Sequence, residues 1–345
     1  MKGLMQLYKL ASLFSGCGGG DVGLEGGFSF LNTHYKTLPF TTVYANEIDA
    51  KIAEIYSQNF NIEPDVRDIR EVSSKDIPCH DILVGGFPCV SFSMVAQNPK
   101  RLGIKNDTGK LFFEMVRILK DKQPKAFIAE NVRGILSANK GEAFPLIVSE
   151  FENCGYVVKH CLLNVADFGV PQNRYRVIIV GIRNDIQVDY EFPTPTHALE
   201  EKFCSMKHIP LGEVVFPENE IDDKYYFSEK AVSGMLRAKK DMNKGRAQDL
   251  LKPCNTVGAH LAKVSLNSTD PVLKINGRYR RFTPREVARI QSFPDSFKLI
   301  NAEGTQYRAL GNAIPPVLMW NVANKLAMAL DGAPTIDKLE LVQTI

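Results

Sequence analysis

Lys9-Leu10-Ala11-Ser12-Leu13-Phe14-Ser15-Gly16-Cys17-Gly18-Gly19-Gly20-Asp21-Val22-Gly23 is the stretch that decides the fold. Its apolar start, Lys9–Phe14, reads as a strand, and it empties into a glycine-rich turn. Glycines at a strand-to-helix turn let the backbone pass close to a ligand. Further apolar runs follow at Thr42–Asn46, Asp81–Gly85, Ala126–Glu130, Val157–Leu163 and Arg176–Ile182. Several are continuous rather than alternating, the pattern of strands covered on both faces. Helical stretches lie between them, such as Ala50–Asn59 and Lys110–Lys120; in the second, Leu111, Met115, Ile118 and Leu119 share one face. Strand and helix in repetition predict a doubly wound α/β sheet.

Beyond Phe192 the pattern breaks. Pro193, Pro195, Pro210 and Pro217 interrupt it, and an irregular module is expected from Tyr190. Regular signals return at Thr283-Pro284-Arg285-Glu286, where Thr283 can cap a helix, Pro284 suits its first position and Glu286 completes a capping box. A last helix is predicted from Pro315-Pro316 to about Leu330. The expected division is 1–189 with 303–345 as one domain, and 190–302 as a smaller second domain with its hinge. No internal repeat or low-complexity segment is evident.

The chain has 345 residues, 44% hydrophobic and 23% charged, ordinary globular values that allow a substantial core. No apolar stretch approaches the roughly 18 residues of a membrane helix. Met1–Leu10 does not read as a signal peptide, so a cytoplasmic protein is expected. Seven cysteines at irregular spacing, with no C-x-x-C, argue against a disulfide framework or a metal site. The net charge of +3 hides a strong asymmetry. Lys230–Arg289 carries fourteen Lys and Arg against four Asp and Glu, whereas Tyr190–Glu229 carries nine acidic and three basic residues. The basic block suits a polyanion such as nucleic acid, and equally a solvated charged face.

The glycine turn alone fits a nicotinamide enzyme, a methyltransferase or a plain tight turn. The next strand ends in Asn46-Glu47. An acid there can accept from ribose hydroxyls, which supports an adenosine-bearing ligand without choosing one. Asp68-Ile69 could similarly reach the adenine.

The residues that carry chemistry lie at three other strand ends. Gly85-Gly86-Phe87-Pro88-Cys89-Val90-Ser91 follows a strand and puts Cys89 where open α/β sheets keep their active sites. Glu130-Asn131-Val132 ends the next strand; a surface acid capping a helix is the bland alternative for Glu130. Gln172-Asn173-Arg174-Tyr175-Arg176 opens a third, and its two arginines project to one side.

Together these segments resemble the DNA cytosine-5 methyltransferases. The resemblance runs in order through Phe14–Gly19, Pro88-Cys89, Glu130–Val132, Gln172–Arg176, Arg281–Glu286 and Gly311-Asn312-Ala313-Ile314-Pro315. Each motif alone is weak; six in order are specific. Only about Tyr190–Arg280 lies outside a shared motif. The chain departs from the family pattern at Val90, usually glutamine, and at Ile48, often an aromatic that packs on adenine.

The resemblance implies a Rossmann-like S-adenosylmethionine-dependent domain beside a smaller irregular DNA-recognition domain. Cofactor contacts are expected from Phe14, Gly16, Gly18, Gly19, Glu47, Ile48, Asp68, Ile69, Pro88, Asn312 and Ala313. DNA contacts are expected from Ser91, Lys100, Arg101, Arg237, Lys239, Thr256, Arg278 and Arg280. Ser91–Asn106 is expected to close as a lid. The catalytic set is Cys89, Glu130, Arg174 and Arg176. A free thiol has a pKa of about 8.5, so the site must help ionise Cys89. Its thiolate would add to cytosine C6 and make C5 nucleophilic. Glu130 would serve N3, which asks for a protonated carboxyl that burial favours. Arg176 would serve O2, and Arg174 would help place Cys89 or the base. The target base must leave the duplex, at a cost of a few kcal/mol.

Expected partners are duplex DNA and, functionally, a restriction endonuclease; the expected state is a monomer. Two alternatives remain. A transfer-RNA cytosine-5 methylase shares the fold, but the Cys-Phe-Thr tripeptide of that branch is missing. A nicotinamide oxidoreductase explains Gly16–Gly23 and Glu47, but not Cys89, Glu130 and the arginine pair.

Overall fold

The computed structural model describes residues 7–88, 111–200, 204, 206–237, 247–262 and 270–331. Six strands form the central sheet: β1 (Tyr8–Leu13), β2 (Phe40–Asn46), β3 (Ile82–Gly85), β4 (Ala126–Val132), β5 (Tyr156–Asn164) and β6 (Tyr175–Arg183). Their order is β2-β1-β3-β4-β6-β5. All six strands read from apolar runs are present, within two residues at each end. The family expectation of a Rossmann-like methyltransferase fold holds.

The first four strands in the sheet order are mutually parallel. β6 runs antiparallel to both β4 and β5. Only Val165–Arg174 separates β5 from β6, too short for the crossover of a dozen or more residues that a parallel pair needs. A run of apolar residues carries no sign of direction, so this reversal was not legible in the sequence.

Helices cover both faces. On one face lie α1 (Gly19–Glu25), α2 (Ala50–Ser57) and, from the chain's far end, α8 (Pro316–Asp331). On the other lie α3 (Leu111–Lys122) and α4 (Ala143–Glu152). α3 buries Phe112, Met115, Val116, Ile118 and Leu119. α2 stops two residues short of its expected end because Asn59 Nδ2 donates to Ile55 O and to Lys298 O. α8 returns onto α1 at Gly23, where a Cβ would stand 2.3 Å from Pro316 O. Only a glycine allows the helices that close.

From Tyr190 to Arg280 the described residues form strands of two or three residues, single 3-10 turns and one helix, α5 (Glu229–Arg237). α6 (Pro284–Ile290) and α7 (Glu303–Asn312) lead back to the sheet. α6 begins as read from the sequence: Thr283 Oγ1 accepts from Glu286 N, and the Glu286 carboxylate accepts from Thr283 N. Leu211, Val214, Cys254, Val257 and Leu273 share one continuous core with β1, β3 and α8. Among the described residues no helix is long and apolar enough to cross a membrane.

Candidate active site

β1 hands the chain to the glycine turn at Phe14, whose φ of 55° is uncommon for a bulky residue. Gly18 precedes α1 in the left-handed region and Gly19 opens the helix. Gly16 has nothing within 4 Å of where a Cβ would stand, so the turn borders open space. Its N–H donates to Glu47 Oε2 at 3.0 Å, and Asp49 N donates to Glu47 Oε1 at 2.8 Å. Burial pushes the Glu47 carboxyl upward, and these two N–H groups pull it back. A carboxylate offers about four acceptor positions, so two remain for hydroxyl donors.

Apolar surface flanks that carboxylate: Ile48 is 64% exposed and Val66 48%. Asp65–Arg67 lies alongside, since Glu47 N donates to Asp65 O and Asn46 Nδ2 to Arg67 O. Asp68 follows, with its carboxylate held by Arg70 and lowered in pKa by that pairing. Ile69 is different from expectation. Its side chain is buried in the core with Leu83 and Met115, so any ligand contact there is limited to backbone. An open turn, an acceptor-rich carboxylate and an apolar ledge fit an adenosine group.

β3 and β4 are neighbours, with Gly85 opposite Ala129. Asn131 Nδ2 donates to Phe87 O at 2.9 Å, in the interior, and so ties the segment entering Pro88 to the end of β4. A Cβ on Gly86 would stand 3.4 Å from Glu130 Oε2. Cys89 itself lies outside the described residues, as do Ser91, Lys100, Arg101 and Lys239 and the expected lid 91–106.

Glu130 on β4 meets Arg176 on β6. Arg176 Nε stands 2.5 Å from Glu130 Oε1, with the two side chains 10% and 13% exposed. Arg176 Nη1 also donates to Tyr175 O. Arg174 goes elsewhere. Its guanidinium, 2% exposed, donates to the carbonyls of Val257, Gly311 and Ala313. Asn312 is exposed between those last two carbonyls, and Ala313 is buried.

The expected DNA contacts divide. Arg237 and Thr256 are exposed, and Thr256 Oγ1 donates to Asn173 O. Arg278 is exposed beside Asp223 and stacks 3.7 Å from the Tyr226 ring centroid. Arg280 corrects the expectation. It is fully buried and forms a two-pronged ion pair with Glu286 at 2.7 and 2.6 Å. A run of basic residues does not reveal which of them turns inward.

Three groups were missed in the sequence. Asn131 had a signal in its place beside Glu130. Asp49 had one too, as an acid opening a helix; its carboxylate accepts from Lys51 N and Ile52 N. Arg308 on α7, which pairs with Asp49 at 2.6 Å across 259 residues, had none.

The family described as C-5 cytosine-specific DNA methylase matches residues 8–328. The Type II methyltransferase M1.ScrFI of Lactococcus lactis subsp. cremoris is 36% identical over 94% of this chain and 79% of its own length. The Type II methyltransferase M.FnuDI of Fusobacterium nucleatum is 36% identical over 96% of this chain and 97% of its own. In structure, the Entamoeba histolytica methyltransferase EhMeth has a TM-score of 0.71 at 18% identity, over 93% of this chain and 98% of its own. The S. pombe Dnmt2 methyltransferase has a TM-score of 0.68 at 19% identity, over the same shares.

Proposed function

The chain belongs to the C-5 cytosine-specific DNA methylases, and from that premise we propose how its residues divide the work. The enzyme is a DNA (cytosine-5) methyltransferase that uses S-adenosylmethionine. One observation carries the assignment of roles. Glu130 and Arg176, from two neighbouring strands, converge within 2.5 Å beside the Gly86–Pro88 segment that leads into Cys89.

The Cys89 thiolate attacks C6 of an extruded cytosine and forms a carbon–sulfur bond. The electron pair displaced from the 5,6 double bond moves toward C5, N3 and O2. Glu130 gives N3 a proton or a strong hydrogen bond, and Arg176 offers N–H donors to O2. Donors fixed in place before charge develops stabilise it without reorganisation. S-adenosylmethionine, when bound, supplies an electrophilic methyl group to C5. Loss of the C5 proton to solvent and return of the N3 proton to Glu130 then expel the Cys89 thiolate and restore the ring. Glu47 holds the ribose hydroxyls, Ile48 lies along the adenine, and Phe14–Gly19 and Asn312–Ala313 shape the rest of that pocket.

Arg237, Thr256 and Arg278 contact duplex DNA from the 190–302 module. That both relatives are Type II methyltransferases supports the setting we propose, in which the methylase protects DNA from a partner restriction endonuclease; we place it in the cytoplasm as a monomer.

The test is a duplex carrying 5-fluorocytosine at the methylated position, found first by bisulfite sequencing of DNA from expressing cells. A covalent complex should accumulate, because fluorine cannot leave as a proton does. Cys89→Ser should bind the same duplex and form no adduct. Lack of an adduct with the unaltered protein would exclude addition at C6.

A further inference from the structure

Arg174 is a buried cation with no carboxylate bonded to it among the described residues. Its charge is met by backbone dipoles. Two of its three acceptors, Gly311 O and Ala313 O, lie at the end of α7, where helix carbonyls lack partners and the negative end of the dipole sits. The third is Val257 O at 2.9 Å, in the segment that carries Thr256.

The same two backbones are joined a second time. Val257 N donates to Gln172 Oε1. Gln172 Nε2 donates to Gln291 Oε1 at 2.6 Å, and Gln291 Nε2 donates to Leu310 O at 2.6 Å. They also touch directly: a Cβ on Gly311 would stand 2.2 Å from the Gly258 carbonyl carbon. Both polar groups of Val257 are thus held from one side, with Thr256 exposed next to it. Both carbonyls flanking the exposed Asn312 are held by one guanidinium. These bonds are buried, so water cannot replace them if either backbone moves alone.

We propose that Arg174 is a positioning residue that couples cofactor binding at Asn312–Ala313 to DNA binding at Thr256. This rests on the roles proposed above for those two segments. A ligand that orders either backbone fixes the other through the guanidinium fork, so the second ligand meets a segment already in place. The coupling is reciprocal by thermodynamic necessity.

The experiment uses the full chain, S-adenosylhomocysteine and a duplex with the mapped target site. Each dissociation constant is measured with and without a saturating amount of the other ligand. The native protein should show the same coupling factor in both directions, within the roughly 5–150-fold range usual for linked sites. Arg174→Met should bring that factor to about one. Arg174→Lys keeps the charge but not the fork, and should leave it well below the native value. A purely structural role would weaken both single-ligand affinities and leave the factor unchanged, which would overturn the proposal. Should Arg174→Met fail to fold, an unchanged factor in Arg174→Lys would overturn it equally. Native protein that binds both ligands with no coupling sinks this inference alone. Binding of neither sinks it together with the proposed function.

Discussion

Arg176 reaches Glu130 from an antiparallel neighbour, so the strand reversed in the sheet is the one that delivers the cation to the carboxylate. Val132, not Glu130, is the residue directly opposite Arg176, and the ion pair runs diagonally along one face. Glu130→Gln keeps the size and removes the acid. We expect kcat to fall by about 10²–10⁴, the usual worth of a positioned proton donor. Cofactor and duplex affinities should change little. Radiolabelled methyl transfer under single turnover checks this, and near-native kcat would remove Glu130 from the chemistry.

Asn131 is bonded to Phe87 O, two residues before Cys89, and is expected to act on that approach and not on the base. Asn131→Ala removes the buried amide that donates to the Phe87 carbonyl and accepts from Val132 N. A loss of roughly 1–3 kcal/mol of stability should follow. The yield of adduct with 5-fluorocytosine DNA should fall by more than duplex affinity does. Denaturant unfolding and adduct gels read the two effects separately.

Arg278 and Arg280 sit two residues apart and should behave in opposite ways. Arg280→Met leaves Glu286 as a buried unpaired carboxylate, and breaking such a pair costs about 3–5 kcal/mol. Arg278→Ala should leave unfolding nearly unchanged and lower the slope of log affinity against log salt by about one. A stable Arg280→Met protein, or a salt slope indifferent to Arg278, would contradict these placements.

Asp21, buried in α1, accepts at Oδ2 from Ser12 Oγ, and its Oδ1 has no partner among the described residues. Burial raises its pKa from 3.8 to about 7. The folded state therefore binds this proton more tightly than the unfolded chain does. Its contribution to stability is full below pH 4 and is lost as pH rises toward 7. Asp21→Asn should flatten that decline and be the more stable protein at pH 8, by an amount on the order of a few kcal/mol. Urea midpoints from pH 5 to 8 for both proteins decide it; parallel curves would show that Asp21 does not titrate in this window.

Local order was legible from the residues alone. The glycine turn, the continuous apolar runs and the Thr283–Glu286 capping box depend on neighbours a few positions apart, and their signals are steric and periodic. The motif order was legible too, because each motif reads as the end or the start of an apolar run with its own short surroundings. What the tertiary structure decided are pairings between distant segments. Periodicity does not say that β6 enters the sheet reversed between β4 and β5, so it cannot say that Arg176 faces Glu130 while Arg174 turns to Val257, Gly311 and Ala313. Nor can composition tell the buried Arg280 from the exposed Arg278. A charge is written in the chain, but its environment is set by which backbone dipoles and carboxylates the fold brings within about three ångströms.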